Sequence, residues 1–358
     1  LDYFCETNNI TTIDYLKLDV EGAEIDALQG ATGLLKKQAI SCIQFEISQK
    51  MLEGLNRKAQ DVFEILSQNN YECYRISRVG EIGEKIINSE SFYENYIALP
   101  SLSVHFFTIV LNGEPFIRYH IEVFKQLPFK WHWHIVEGVA DLKHDTAWVL
   151  QYGGHIIDEM HYNGRSNDGT TEYLDELSRQ HPDQITIYRK PEGIFWDGKR
   201  EMVNAPLNNI QEECLLWQVD SDEFWTVQQI CQVRQLFISN PAKTAAFYWC
   251  WFFVGNELIV STRNCYSQNP HQEWLRTWRY KPGYTWASHS PPRLVETLPN
   301  SELRDVATIN PFLHEETEKE GLIFQHFAYT TPKQLQFKEQ YYGYQNAVAK
   351  WKVLQEQT

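Results

Sequence analysis

With 358 residues the chain is long enough for two ordinary domains, because a single core rarely grows past roughly 250 to 300 residues. Hydrophobic residues at 43% and charged residues at 22% are an ordinary globular balance, which excludes disorder and collagen-like repeats. Lys and Arg number 32 against 47 Asp and Glu, a net charge of −15, and no basic stripe is interleaved with aromatics, so nucleic acid is not an expected partner.

No run approaches the roughly 20 apolar residues of a membrane span, and the longest aromatic stretch, Ala245 to Val254, has the length of a strand. The seven cysteines (Cys5, Cys42, Cys73, Cys214, Cys231, Cys250, Cys265) show no C-x-x-C pair and no metal spacing. They read as reduced core residues, and the expected location is cytoplasmic. The chain starts on Leu1 and its first methionine is Met51, so it reads as part of a longer polypeptide.

All 12 Trp and all 12 His lie beyond residue 100, the first being Trp131 and His105. This shift in composition places a domain boundary near Pro100, giving expected domains 1–100 and 101–358. In the first, periodicity predicts strands at Asp14 to Val20 and Ile40 to Ile47 and helices at Ala23 to Lys37 and Lys58 to Asn69. Two final strands are expected at Tyr71 to Ser77 and Tyr93 to Leu99. Alternating strands and helices make a parallel sheet and the last pair an antiparallel edge, together half of a doubly wound sheet with one edge open.

The second segment predicts strands at His105 to Leu111, His132 to Val136, Ile185 to Tyr188, Leu215 to Val219 and Ala245 to Phe253. Helices are expected at Phe116 to Lys125, Thr171 to Gln180, Lys199 to Asn209 and Thr226 to Phe237. It is again α/β, and large enough to fold alone.

In the first segment the run Ile13-Asp14-Tyr15-Leu16-Lys17-Leu18-Asp19-Val20-Glu21-Gly22-Ala23-Glu24, with Leu1-Asp2 before it and Leu28-Gln29-Gly30-Ala31 and Phe45-Glu46 after it, resembles the C-terminal half of FkbM-type methyltransferases over residues 1 to 99. The resemblance implies a partial Rossmann-like sheet with Asp19 and Glu21 beside the methyl donor. From the residues alone, both acids sit at a strand's carboxyl end, where open α/β sheets bind ligands. No Gly-x-Gly occurs in residues 1 to 100, so S-adenosylmethionine is an expected cofactor only where the other half of such a fold is supplied. Otherwise Asp19, Glu21 and Gly22 form a strand-to-helix turn with an N-terminal cap.

In the second segment the strand Leu215 to Val219 runs into Asp220-Ser221-Asp222-Glu223-Phe224-Trp225. Acids at alternate positions just past a sheet edge suit Mn2+ or Mg2+ meeting a diphosphate, since these cations take oxygen ligands and complete their shell with phosphate and water. A solvated loop is the alternative reading of D-x-D alone. Together with His105 to Glu114, Ile135-Val136-Glu137-Gly138, Asp197-Gly198-Lys199-Arg200, His289-Ser290-Pro291-Pro292 and His326-Phe327-Ala328-Tyr329, followed by Lys333 and Lys338, this order resembles family 2-like glycosyltransferases of the GT-A fold over residues 103 to 345.

That resemblance implies a GT-A type nucleotide-sugar-binding mixed sheet with helices on both faces. Asn112, Glu114 and Glu137 would surround the nucleoside, Asp220 would lie near the ribose, and Lys199 or Arg200 would reach the diphosphate. Asp220, Asp222 and His326 would hold the metal. His326, flanked by apolar neighbours, is read either as that ligand or as a hydrogen-bonded core imidazole, whereas His132 and His134 lack a third ligand for zinc. Asp222 carries the electrostatic work of catalysis, and Glu223 or Glu273 is the candidate base. The ten aromatics Tyr248, Trp249, Trp251, Phe252, Phe253, Trp274, Trp278, Tyr280, Tyr284 and Trp286 are either an acceptor groove or core. Arg276, Arg279 and Lys281 either face the diphosphate or cap a strand edge.

The expected activity is metal-dependent transfer of a sugar from a nucleotide-diphosphate donor to a glycan or other hydroxyl acceptor. The alternatives are an S-adenosylmethionine-dependent FkbM-type O-methyltransferase and a non-catalytic carbohydrate-binding module.

Overall fold

The computed structural model describes residues 1–77, 79–88, 92–144, 147–255, 257–261 and 273–357. The chain divides into two compact units, Leu1–Ser101 and Leu102–Thr358, and both are mixed α/β. Among the described residues no helix is long and apolar enough to cross a membrane. Of the described cysteines Cys5, Cys73, Cys214 and Cys250 are buried, and Cys265 lies outside the described residues.

The first unit has five strands, β1 (Leu16–Leu18), β2 (Ile43–Ser48), β3 (Tyr71–Ile76), β4 (Ile82–Ile86) and β5 (Tyr93–Pro100), in the order β1-β2-β5-β3-β4. Only β1 and β2 pair in parallel, and the other pairings are antiparallel. Ile43, Phe45 and Ile47 alternate into the core of β2, where Phe63 of the helix Ala59–Gln68 meets Phe45 edge-on at 5.5 Å. The helix expected from Ala23 to Lys37 is two, Glu24–Gln29 and Thr32–Lys36. Asp2 explains the break: its carboxylate accepts from the amides of Gly33 at 2.6 Å and Leu34 at 3.1 Å, supplying partners to a second helix start.

The second unit contains β6 (Ser103–Val110), β7 (Trp131–Glu137), β8 (Ile185–Tyr188), β9 (Cys214–Gln218), β10 (Glu223–Phe224), β11 (Ala245–Phe247), β12 (Trp249–Val254), β13 (Leu258–Ser261), β14 (Leu275–Tyr280), β15 (Thr285–Ser288), β16 (Arg293–Thr297), β17 (Leu303–Asp305), β18 (Pro311–Phe312) and β19 (Ile323–Tyr329). They form a seven-stranded sheet, β18-β11-β14-β9-β6-β7-β8, a four-stranded sheet, β10-β19-β12-β13, and a three-stranded sheet, β15-β16-β17. Within the large sheet β9, β6, β7 and β8 are mutually parallel. The chain winds outward from β6 through β7 to β8 and then returns to place β9 on the other side of β6. Such a reversal opens a crevice beyond the carboxyl ends of the two central strands.

The single strand expected from Ala245 to Phe253 is two, β11 in the large sheet and β12 in the four-stranded one, with the buried Tyr248 at the change of sheet. Tyr248 lies 4.9 Å edge-on to Trp225, which meets Trp217 of β9 at the same distance. The helix Pro332–Tyr342 starts with a Thr331/Gln334 capping box and stops at Gly343, whose φ is +72°. A Cβ there would fall 2.2 Å from the carbonyl oxygen of Tyr152, so glycine is needed for both the left-handed backbone and the close approach.

Candidate active site

The carboxyl ends of β6 and β9 lead into Asn112-Gly113-Glu114 and Asp220-Ser221-Asp222. The first turn is tied down by its neighbours: Asn112 takes a left-handed φ of 59°, its Nδ2 donates to the Met160 carbonyl at 2.6 Å and its Oδ1 accepts from the Asn167 amide at 2.9 Å. The second turn is held from three sides. Thr108 donates to the Val219 carbonyl at 2.6 Å, the Phe327 amide to the Asp222 carbonyl at 2.8 Å, and His120 Nε2 to the Ser221 carbonyl at 2.9 Å.

Burial pushes the His120 imidazole down to about 4. The folded chain therefore resists a proton that the unfolded chain takes up near pH 6.5. Stability is complete above that value and falls as the pH drops towards 4, by roughly 3 kcal/mol for this one fully enclosed group. Urea unfolding midpoints measured from pH 7.5 to 4 should show this decline, and His120→Gln should make it shallower, the remainder coming from His132 and His134, whose imidazoles burial also lowers.

Between the two turns lies a cavity of about 420 Å³ lined by Asn112, Glu114, Asp220, Asp222 and His326, with Lys199, Lys333 and Lys338 also on its surface. Burial works to raise the Asp222 carboxyl, but His326 and Lys338 outweigh it and hold the group below the ordinary carboxylate range. Asp222 Oδ1 is 3.4 Å from His326 Nε2, and Gln334 Nε2 approaches Oδ2 at 3.4 Å. Asp220 accepts from Gln218 at 3.2 Å and lies 3.7 Å from the Arg276 guanidinium. Lys199 lies over the ring of Tyr342 at 4.8 Å and Lys338 over that of Tyr329 at 4.9 Å. Glu114 pairs with Arg118 at 2.7 Å.

Several expected site residues stand elsewhere. Glu137 is buried with its carboxylate on Arg189 at 2.6 Å, Thr171 and the Ser166 amide, so it supports the loop behind Asn112 and does not line the cavity. Arg200 is exposed and outside the cavity, which leaves Lys199 as the cation at that helix start. Glu223 cannot serve as a base at the cavity, because it is fully buried and bound through both oxygens to Arg276. Arg276 correspondingly faces neither a diphosphate nor a strand edge. Glu273 is exposed and does not line the cavity either.

The aromatics Tyr248, Trp249, Phe252, Trp278, Tyr280 and Trp286 are buried and belong to the core, whereas Trp251, Phe253, Trp274 and Tyr284 are half-buried; none of the ten lines this cavity. The half-buried His132 and the buried His134 stack with the buried His105, His105 Nδ1 lying 2.9 Å from His134 Nε2. In the first unit Asp19 pairs with Lys17 at 2.9 Å and Glu21 is exposed. The turn's amides instead approach Glu24, at 3.3 Å from Val20 and 3.4 Å from Gly22. Gln334, His120, Phe116, Phe337, Tyr341 and Tyr342 belong to the site or its support without having been singled out from the sequence.

Among the described residues no group of three or more His, Cys, Asp and Glu side chains is arranged to hold a metal ion. The residues present fit a cation that takes most of its shell from phosphate and water, as Mg2+ does and Mn2+ can, with only one or two carboxylates from the protein. Asp222 and His326 would be its protein ligands, with Asp220 alongside. Bound there, the cation would act as a Lewis acid on phosphoryl oxygen.

Residues 1–73 match the family described as Methyltransferase FkbM domain. A comparison with curated proteins finds no match. Among solved structures the chain is similar to the mannosyltransferase PcManGT from Pyrobaculum calidifontis in complex with GDP-Man and Mn2+, with a TM-score of 0.31 and 16% identity over 49% of this chain and 44% of that one. It is similar also to S. aureus TarS 1-349, with a TM-score of 0.33 and 13% identity over 50% of this chain and 47% of the other. A third structure, TarS 1-349 in complex with UDP-GlcNAc, aligns at a TM-score of 0.33 and 12% identity over 50% and 45%. The alignment thus spans less than half the length of each of these structures.

Proposed function

We propose that the second unit is a glycosyltransferase of GT-A type that moves a sugar from a nucleotide-diphosphate donor to a hydroxyl acceptor with the help of Mn2+ or Mg2+. The observation that carries this reading is the placing of Asp220 and Asp222 at the topological switch point of the large sheet, on a cavity that also presents Lys199, Lys333 and Lys338. Acids alone would repel a diphosphate, and lysines alone would bind one without holding a cation. Together they can take a cation and the anion it accompanies.

Negative charge develops on the leaving diphosphate as the anomeric bond breaks. Ammonium groups already in place stabilise it without reorganising. Asp222, kept ionised by His326 and Lys338, is the residue committed to the cation side, and Asp220 is positioned for the ribose. Asn112 shapes the turn under the nucleoside through its backbone, since its side-chain amide is already engaged.

A thermal-shift series with UDP, GDP and other nucleoside diphosphates, with and without Mn2+, tests the reading. A ligand at 100 times its dissociation constant should stabilise the fold by about 2.7 kcal/mol, and at least one diphosphate should do so in a Mn2+-dependent way. No shift with any of them would overturn the proposal in favour of a non-catalytic carbohydrate-binding module.

A second reading concerns the first unit and rests on the family match over residues 1–73: participation in S-adenosylmethionine-dependent methyl transfer. Isothermal titration of the chain with S-adenosylmethionine tests it, and absence of heat at millimolar ligand would count against binding by this chain.

A further inference from the structure

Glu223 and Arg276 touch no substrate in this scheme, yet they occupy the ground beneath both acids. Glu223 is fully buried and Arg276 is 7% exposed. The guanidinium grips the carboxylate as a fork, Nη2 to Oε1 at 2.6 Å and Nε to Oε2 at 2.9 Å, and its Nη1 donates to the Leu275 carbonyl at 3.1 Å. Its planar group also lies 5.3 Å from the centre of the Trp274 ring.

Replacing such a buried ion pair by apolar residues is often neutral or stabilising, so stability alone does not account for it. Its contacts suggest another reason. At one end Arg276 Nη2 is 3.7 Å from Asp220 Oδ2. At the other, the pairing of β10 with β19 sets Glu223 opposite His326, bringing Oε1 within 3.7 Å of His326 Nδ1, a buried nitrogen with no hydrogen-bond partner. The second ring nitrogen, Nε2, faces Asp222 at 3.4 Å. Acid, base, acid, imidazole and acid therefore follow one another through Asp220, Arg276, Glu223, His326 and Asp222. A histidine that binds a metal through one nitrogen generally offers its other N–H to a carboxylate, which fixes the tautomer and the ring orientation.

We propose that the buried Glu223–Arg276 pair is a positioning device for the cation side of the site. Glu223 keeps His326 with Nδ1 turned inward and Nε2 towards Asp222 and the cavity, while Arg276 holds Asp220 in place. The inference rests on the cation-dependent reading above and assigns Glu223 a role through His326 in place of proton abstraction.

The test is Mn2+ binding by the full chain, read from the electron paramagnetic resonance of the free ion, together with the 15N resonances of the His326 ring, assigned by their loss in His326→Gln. In the wild type one tautomer is expected, protonated on Nδ1. Glu223→Gln should weaken Mn2+ binding tenfold or more and shift the ring signals towards the other tautomer, whereas Arg276→Lys should retain part of the affinity because the charge remains and the fork is lost.

The single variants leave a buried charge without its partner and can unfold. The double variant Glu223→Leu/Arg276→Met removes both charges and is expected to keep the wild-type melting temperature within a few degrees while losing the same tenfold in Mn2+ affinity. A folded double variant that binds Mn2+ within threefold of wild type, with unchanged ring signals in those variants that fold, overturns the positioning role. Failure of the wild-type chain to bind Mn2+ overturns the cation reading itself, before any variant is compared.

Discussion

Replacing Asp222 by Asn is expected to lower donor turnover by about a hundred- to a thousandfold, with a fold that stays intact but loses the stability its interactions with His326 and Lys338 supply. The Asp222 side chain faces the cavity, and the turn is anchored through its carbonyl on the Phe327 amide, which Asn preserves. What disappears is one negative charge, 3.4 Å from His326 Nε2 and within the field of Lys338. The cavity then becomes more cationic. A nucleoside diphosphate alone should bind as well as before or more tightly, whereas the extra stabilisation from Mn2+ should vanish. Donor hydrolysis assays with Mn2+ and thermal shifts with and without it separate the two effects. Equal Mn2+-dependent turnover in the variant would remove Asp222 from the mechanism.

The second large effect is expected at Trp217. This side chain is fully buried in β9, three residues before the first acid, and packs edge-on against Trp225 at 4.9 Å and near Phe106 at 5.7 Å. Trp217→Ala removes a ring that fills the space under the acidic turn, and a void of that size lined by aromatics cannot close without moving β9. A loss of about 3–5 kcal/mol is expected, to be read from urea unfolding of the full chain. Because Trp225 and Tyr248 lean on the same ring system, turnover should fall as well in the fraction that remains folded. Trp217→Phe should recover part of both.

Much of the framework could be read from the residues. Runs such as Val104 to Val110 and Leu215 to Val219 are mostly apolar, interrupted only by His105, Thr108 and Gln218, as strands buried on both faces are, and they form the parallel centre of the large sheet. The acids that end the second run stand on the cavity for the same reason: the apolar segment stops where the sheet stops. Other features depend on partners far away in the chain. Nothing around Glu223 distinguishes it from a solvated acid, because the guanidinium that neutralises it comes from a strand 53 residues later. Glu137 was hidden in the same way by Arg189.

The division of Ala245 to Val254 into two strands was also illegible. Apolar residues continue across Tyr248, and the change of sheet accompanies a register shift against β14 between Ala246 and Phe247. The strand Ile82–Ile86 was missed because Gly83, Glu84 and Lys85 give it no buried face to announce it. The helix Asp2–Thr7 carries only Cys5 as a buried residue, too little for a periodic signal.

The two aspartates belong to different mechanical parts of the second unit. Asp220 extends from β9 in the seven-stranded sheet, whereas the main chain of Asp222 is fastened to β19 in the four-stranded one. Their separation is thus a gauge of the angle between two layers, not a property of the three-residue loop that joins them. Size changes where the chain passes from one sheet to the other, at Tyr248, should therefore change the gap between the two carboxylates without touching either of them.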